Sequence, residues 1–165
     1  MRVLGIDPGL QGALATWDGK QLTIIDVPIV KARARGNEIN LPALADVVRK
    51  LTPFDFAYVE RNSVRPKEGI SSAQKNGLVA GILLGCVAMC CRKIERRTPT
   101  QWKRDMNLTK DKNYSRTRAI EEFPDYYDLF ARKKDHGRAE AALLALYGYK
   151  QLQTIKPRKR LEGRL

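Results

Sequence analysis

The stretch GIDPGLQGALA, residues 5–15, decides how the rest of the chain is read. Asp7 closes a short apolar run, and Pro8 and Gly9 follow it at once. A carboxylate is costly to bury without a partner, so a strand that delivers one to its tip implies that something receives it. Two receivers fit. The carboxylate can hold a divalent cation, or the glycine turn beside it can cradle a nucleotide's phosphates. The stretch alone does not separate them.

Outward from it, residues 2–7 and 12–17 read as strands and 21–29 as a third, with Asp18-Gly19-Lys20 as a tight hairpin turn between the second and third. Residues 30–40 are basic and without periodicity, which predicts a surface loop. Asn40 then caps a helix over 41–51, with Leu44, Val47, Val48 and Leu51 on one face and Pro53 as its stop. FDFAYVE, residues 54–60, is a strand that again ends on a carboxylate, Glu60. A loop at 61–72 leads to an apolar helix at about 73–92. A strand at 94–99, a short helix opening at Pro99, a helix capped by Ser115 and running to about Phe123, and a last helix from about His136 to Gln151 complete the reading. The order predicts one α/β domain over residues 1–152, a mixed sheet with helices on its faces, followed by a basic tail at 153–165.

Composition narrows the function. The formal net charge is +13, from 31 Lys and Arg against 18 Asp and Glu. Such an excess draws in a polyanion, nucleic acid before membrane, and makes the binding salt-dependent. The longest apolar stretch, Gly77 to Cys91, falls short of the roughly 20 residues that span a bilayer and contains Gly77, Gly81 and Gly85. Met1 leads straight into a strand-like run without an apolar leader, so a cytoplasmic setting is expected. Cys86, Cys90 and Cys91 are bunched and have no neighbouring histidine, which argues against a zinc site and predicts small buried apolar residues in a reducing compartment.

Asp7 and Glu60 both end apolar strands. If those strands are neighbours, the two carboxylates meet at one sheet edge and repel unless a cation sits between them. A hard ion such as Mg²⁺ prefers such oxygen ligands. KDHGRAEAALLALYG, residues 134–148, supplies further groups: Glu140 one turn into the last helix, His136 at its start and Asp135 at the N-cap position. Each acid also has a plainer reading, as a turn starter, a solvated strand end or a helix cap. Together, in a chain this basic, they point to metal-assisted phosphodiester chemistry, for which two metals about 4 Å apart activate water and stabilise the leaving oxygen.

Four segments carry a resemblance: GIDPGLQGALA, YVERNSVRPKEGISSAQKNG, RRTPTQWKRDMNLTKDKNYSR and KKDHGRAEAALLALYG. In that order, across residues 2–148, they resemble the RuvC family of Holliday-junction resolvases in the ribonuclease-H-like superfamily, its short phage- and prophage-type members above all. The resemblance implies a five-stranded mixed sheet, first three strands antiparallel, flanked by helices. It implies two Mg²⁺ or Mn²⁺ ions per active site, a homodimer, and nicking of four-way DNA junctions. By position, Asp7, Glu60 and Glu140 match three metal-binding catalytic residues. The fourth is open. The familiar spacing puts it at Gly137, which cannot ligate; Asp135 suits a hard cation chemically, and His136 shares the helical face of Glu140. Main-branch members carry an aromatic wedge shortly after the fourth-strand glutamate; here the stretch is Arg61-Asn62-Ser63-Val64, which implies a broader range of branched DNA, forks and flaps included.

Lys67, Lys75, Lys103, Lys110, Lys112 and Arg116 lie in segments expected to surround the acids and are candidates for phosphate contacts. Trp102 reads as core. Two other function classes compete. A phosphate-cradling kinase of the actin type also opens on strand, aspartate and glycine turn, but needs a second glycine-rich motif and a duplicated domain that 165 residues do not supply. A non-catalytic module would grip branched DNA without cutting it, yet bare carboxylates would then repel the phosphates.

Overall fold

The computed structural model describes residues 1–32, 36–61, 69–91, 93–109 and 111–154. A five-stranded sheet forms its centre: β1 (Val3–Ile6), β2 (Ala13–Trp17), β3 (Leu22–Asp26), β6 (Phe56–Glu60) and β7 (Ile94–Arg97), in the order β3-β2-β1-β6-β7. The first three are antiparallel; β6 and β7 run parallel to β1 and to each other. The mixed sheet flanked by helices is the ribonuclease-H-like arrangement that the motifs imply.

Strand alternation divides the core in two. Val3, Ala13, Ala15, Leu22 and Tyr58 face α5 (His136–Thr154), α4 (Lys112–Glu122) and the indole of Trp102. Leu4, Ile6, Leu14, Ala57 and Val59 face α1 (Leu41–Leu51) and α2 (Ile70–Ala88). The helix α1 buries Leu44, Val47, Val48 and Leu51, the stripe expected from its spacing, with the Asn40 side chain accepting from the Ala43 N–H. Burying each such side chain is worth about 1.5–3 kcal/mol. On the other face, α5 approaches β1 closely enough that a Cβ on Gly5 would run into the backbone of Ala141 and Ala145. Glycine on the strand and alanines on the helix let the two backbones meet, which draws the start of α5 to the sheet edge.

Several boundaries differ from the sequence reading. The third strand stops at Asp26, and residues expected as loop form a second, two-stranded sheet, β4 (Ile29–Ala32) with β5 (Gly36–Ile39). Its residues are mostly exposed, so no hydrophobic alternation announced it. The helix α2 starts three residues before the expected Ala73 and ends at Ala88. Ser115 is no cap: α4 begins at Lys112, and the Asp111 carboxylate accepts the Asn113 N–H at 2.9 Å. Cys91 is buried, but Cys90 is exposed at the end of α2. The turn at Asp18 is as expected, with Gly19 at φ +97° and the Asp18 carboxylate accepting from the Lys20 and Gln21 N–H groups. The last helix runs to Thr154, two residues into the expected tail; the rest of that tail lies outside the described residues. Among the described residues, no helix is long and apolar enough to cross a membrane.

Candidate metal centre

The centre is built where β1 and β6 end. Their register pairs Ile6 with Val59, so the next residues, Asp7 and Glu60, emerge side by side from parallel neighbours. Beyond Asp7 the chain turns sharply: Gly9 N–H bonds to the Asp7 carbonyl, Gly12 N–H to the Gly9 carbonyl, and Asp7 N–H to the Ala13 carbonyl. Glu140 enters from α5, one turn after its start at His136. One carboxylate oxygen from each of Asp7, Glu60 and Glu140 lies within 4.8 Å of the others, with Glu60 and Glu140 buried and Asp7 half-buried.

Three carboxylates this close are electrostatically expensive. At an effective dielectric near 20, each pair repels by about 3 kcal/mol. Their partners offset part of this. Trp102, fully buried, donates its indole N–H to Glu60 Oε2 at 2.9 Å. Lys103 places its ammonium 2.5 Å from Glu140 Oε1, with both side chains largely shielded from water. Ser115 donates its hydroxyl to the same oxygen at 3.3 Å. Both Trp102 and Lys103 ride on α3 (Pro99–Asp105), which is fixed by a capping box between Thr98 and Gln101. That short helix therefore delivers an indole to one acid and a cation to another.

Three of the five expected ligands thus converge. Asp135 does not join them. It closes a short 3-10 turn (Lys133–Asp135), is 3 % exposed, and is occupied by arginine. Arg132 donates its backbone N–H (2.9 Å) and Nε (3.1 Å) to Oδ2, and Nη2 to Oδ1 (3.0 Å). Burial alone would raise the Asp135 pKa, but the hydrogen bonds and charge of Arg132 hold it below the usual carboxylate value. His136, the first residue of α5, lines a cleft with Asn113, Lys133 and Lys134 and is likewise outside the three-carboxylate group. Gly137 explains why the familiar position carries no ligand. A Cβ there would stand 2.9 Å from the Gly12 Cα and 3.1 Å from Asp7 Oδ2, and closer still to the Gln11 carbonyl.

Among the basic candidates whose side chains are described, Lys103 alone lies at the acids. Lys75 lies on α2 beside the small second sheet, its ammonium 3.9 Å from where a Cβ on Gly36 would be. Arg116 is committed to structure: its guanidinium donates to the Phe130 and Ala131 carbonyls, each at 3.0 Å, and to the Asn113 side chain. Lys112 begins α4, and nothing is described of its side chain; Lys67 and Lys110 lie outside the described residues. The sequence reading missed the roles of Trp102 and Ser115 at the acids. The only signal was that Trp102 adjoins Lys103 in a motif segment, because the contacts span 42 and 25 residues.

The donor set suits a hard divalent cation. All three groups offer carboxylate oxygen, the preference of Mg²⁺ and Mn²⁺, and no soft sulfur ligand is among them.

No protein-family model matches the chain, and no curated protein matches it in sequence. Solved structures do match in fold. A Thermus thermophilus RuvC in complex with a Holliday junction substrate aligns with a TM-score of 0.61 at 16% identity, covering 92% of this chain and 96% of that one. A further structure of Thermus thermophilus RuvC aligns at 0.59 and 18% identity, covering 93% and 98%. Likeness at this identity establishes a shared fold along nearly the whole of both chains.

Proposed function

We propose that this protein is a metal-dependent, structure-selective DNA endonuclease that nicks four-way junctions and other branched DNA. The observation that carries the proposal is the convergence of Asp7, Glu60 and Glu140 at one sheet edge, in a chain of net charge +13. A catalytic pocket lined by acids is a poor place for a polyanion, and a strongly basic surface is a good one. Divalent cations resolve the conflict by neutralising the acids where the phosphate must come. The fold shared with a RuvC seen on a Holliday junction supports branched DNA as the substrate class.

Two Mg²⁺ or Mn²⁺ ions would be held by Asp7, Glu60 and Glu140, with His136 as the fourth ligand, since both oxygens of Asp135 are engaged by Arg132. The chemistry such ions would supply is Lewis acidity toward a phosphodiester and a lowered pKa for a bound water. The chain's own residues prepare the site: Trp102 fixes the Glu60 carboxylate, Lys103 neutralises Glu140, and the turn after Asp7 folds back on itself, so the edge stays open to a DNA strand. Lys67, Lys110 and Lys112 stay in this reading as candidates for phosphate contacts on the strength of their motif segments alone.

A four-way junction has two strands to cut in symmetric positions, which a homodimer matches. The exposed face of α2 suits the contact: Gly77, Gly81 and Gly85 recur every four residues with open space beside them, and Leu78 is exposed. A cytoplasmic location is part of this reading, and a DNA substrate is consistent with it.

The test is incubation of purified protein with a labelled four-way junction and Mg²⁺ beside linear duplex of the same sequence. Nicking of the junction, lost with EDTA and lowered at least a thousandfold by Asp7→Asn, is expected. Cleavage of neither the junction nor forks and flaps, or cleavage indifferent to Asp7→Asn, would reject the proposal.

A further inference from the structure

A second charged constellation sits beside the acids and has no part in holding them. A cleft of about 390 Å³ is lined by Gln11, Gly12, Asp26, Arg132, Lys134 and Arg138, among others. It adjoins the metal centre through the 7–12 turn, because a Cβ on Gly137 would meet Gln11 and Gly12 of the cleft and the Asp7 carboxylate alike. Its two acids are spent on its arginines. Asp26 takes Arg138 in a fork, Nε to Oδ1 and Nη2 to Oδ2, both at 2.6 Å. Asp135, buried, takes the Nε and Nη2 of Arg132 and has Arg138 Nη1 at 3.7 Å.

Arg132 is the unusual member. Its guanidinium is fixed by a buried carboxylate, yet its side chain is 55 % exposed. Among the described residues its Nη1 makes no hydrogen bond. A guanidinium anchored along one edge and open to solvent elsewhere is pre-organised for an anion, since little side-chain entropy is left to lose. An arginine fork also matches phosphate geometry in a way that a free lysine does not.

We propose that Arg132, oriented by Asp135 and flanked by Lys134 and Arg138, is a phosphate clamp for the DNA strand on the side of the metal centre bounded by the 7–12 turn. Asp135 is then a positioning residue acting through Arg132, and its place beside His136 serves the substrate backbone and not the metal. This rests on the branched-DNA reading above.

The experiment measures binding of a labelled four-way junction in EDTA across a NaCl series, which removes metal ligation from the readout. Wild type is compared with Arg132→Ala, Arg132→Lys and Asp135→Asn. Loss of one phosphate contact lowers the slope of log K against log salt by about 1, and affinity at 0.1 M salt by about eightfold. Arg132→Ala is expected to show both. Arg132→Lys restores the slope but only part of the affinity, because the fork is gone. Asp135→Asn separates the mechanisms: it makes the chain more positive, so unspecific electrostatics predicts tighter binding, whereas loss of the anchor predicts weaker binding. Wild-type binding with an unchanged Arg132→Ala slope, or tighter binding by Asp135→Asn, overturns the clamp and leaves the nuclease reading standing. Wild-type protein that binds no branched DNA either in EDTA or with Ca²⁺ added overturns both.

Discussion

Lys103 gives the sharpest test of how the acids coexist. Replacing it by Met keeps the side chain's length and apolar stem and removes only the charge. Glu140 is then left with the Ser115 hydroxyl, facing Asp7 and Glu60 across less than 5 Å. Breaking a buried ion pair by removing one partner costs about 3–5 kcal/mol. The pair here is 12 % and 8 % exposed, which places the loss near the lower end, about 3 kcal/mol. For a domain of this size that is a fall in Tm of about 6–12 °C. The loss should depend on metal. A cation at the acids supplies the charge that Lys103 supplied, and the more negative variant site binds it more tightly. Each tenfold gain in affinity returns about 1.4 kcal/mol at saturating ion. Thermal unfolding of both proteins in EDTA and through a Mg²⁺ titration, with calorimetric Mg²⁺ binding, checks this. The deficit in EDTA should shrink by at least half in saturating Mg²⁺. An EDTA melting temperature within 2 °C of wild type, or a deficit that Mg²⁺ leaves untouched, refutes the assignment of Lys103 as the counter-ion of the acids (the 2 °C limit corresponds to less than about 1 kcal/mol).

Two further outcomes follow from particular contacts. Gly137→Ala should gain about 1 kcal/mol from helix propensity, yet its Cβ meets the backbone of Gln11 and Gly12, so Tm should fall and junction nicking with it; a higher Tm would show that the turn yields freely. Tyr147 donates to Asp105 Oδ2 at 2.9 Å, and burial, then that carboxylate, pushes its pKa up to about 12. Because the folded value lies above the ordinary 10, its contribution is whole below pH 10 and is lost as pH rises toward 12. Urea unfolding at pH 8 and pH 11 should show about 1–2 kcal/mol of extra alkaline loss in wild type that Tyr147→Phe lacks.

Local pattern carried most of the architecture. Short apolar runs at 2–7, 12–17 and 54–60, bounded by turn residues, and the spacing of Leu44, Val47, Val48 and Leu51 specify strands and helix because both signals are local in the chain. The acids at strand ends were legible for the same reason, as a charge that closes an apolar run. The exposed β4–β5 pair was not, since a ribbon without a buried face leaves no hydrophobic period to read. Nor was Ser115, whose place inside α4 rather than at its cap depends on Asp111 being the better-placed acceptor.

The site's inner wiring was decided only in three dimensions. The sequence leaves Asp135 and His136 equal as partners of Glu140, because spacing fixes a helical face but not which rotamer another element captures. Arg132 captures Asp135 through a turn whose geometry no periodicity encodes, and α3 brings Trp102 and Lys103 onto acids 42 and 37 residues away. Asp7 and Glu60 are named by where their strands stop. What holds them is set by packing between segments distant in sequence, whereas Asp135 is held away by a guanidinium only three residues earlier, in a turn that no hydrophobic period announces.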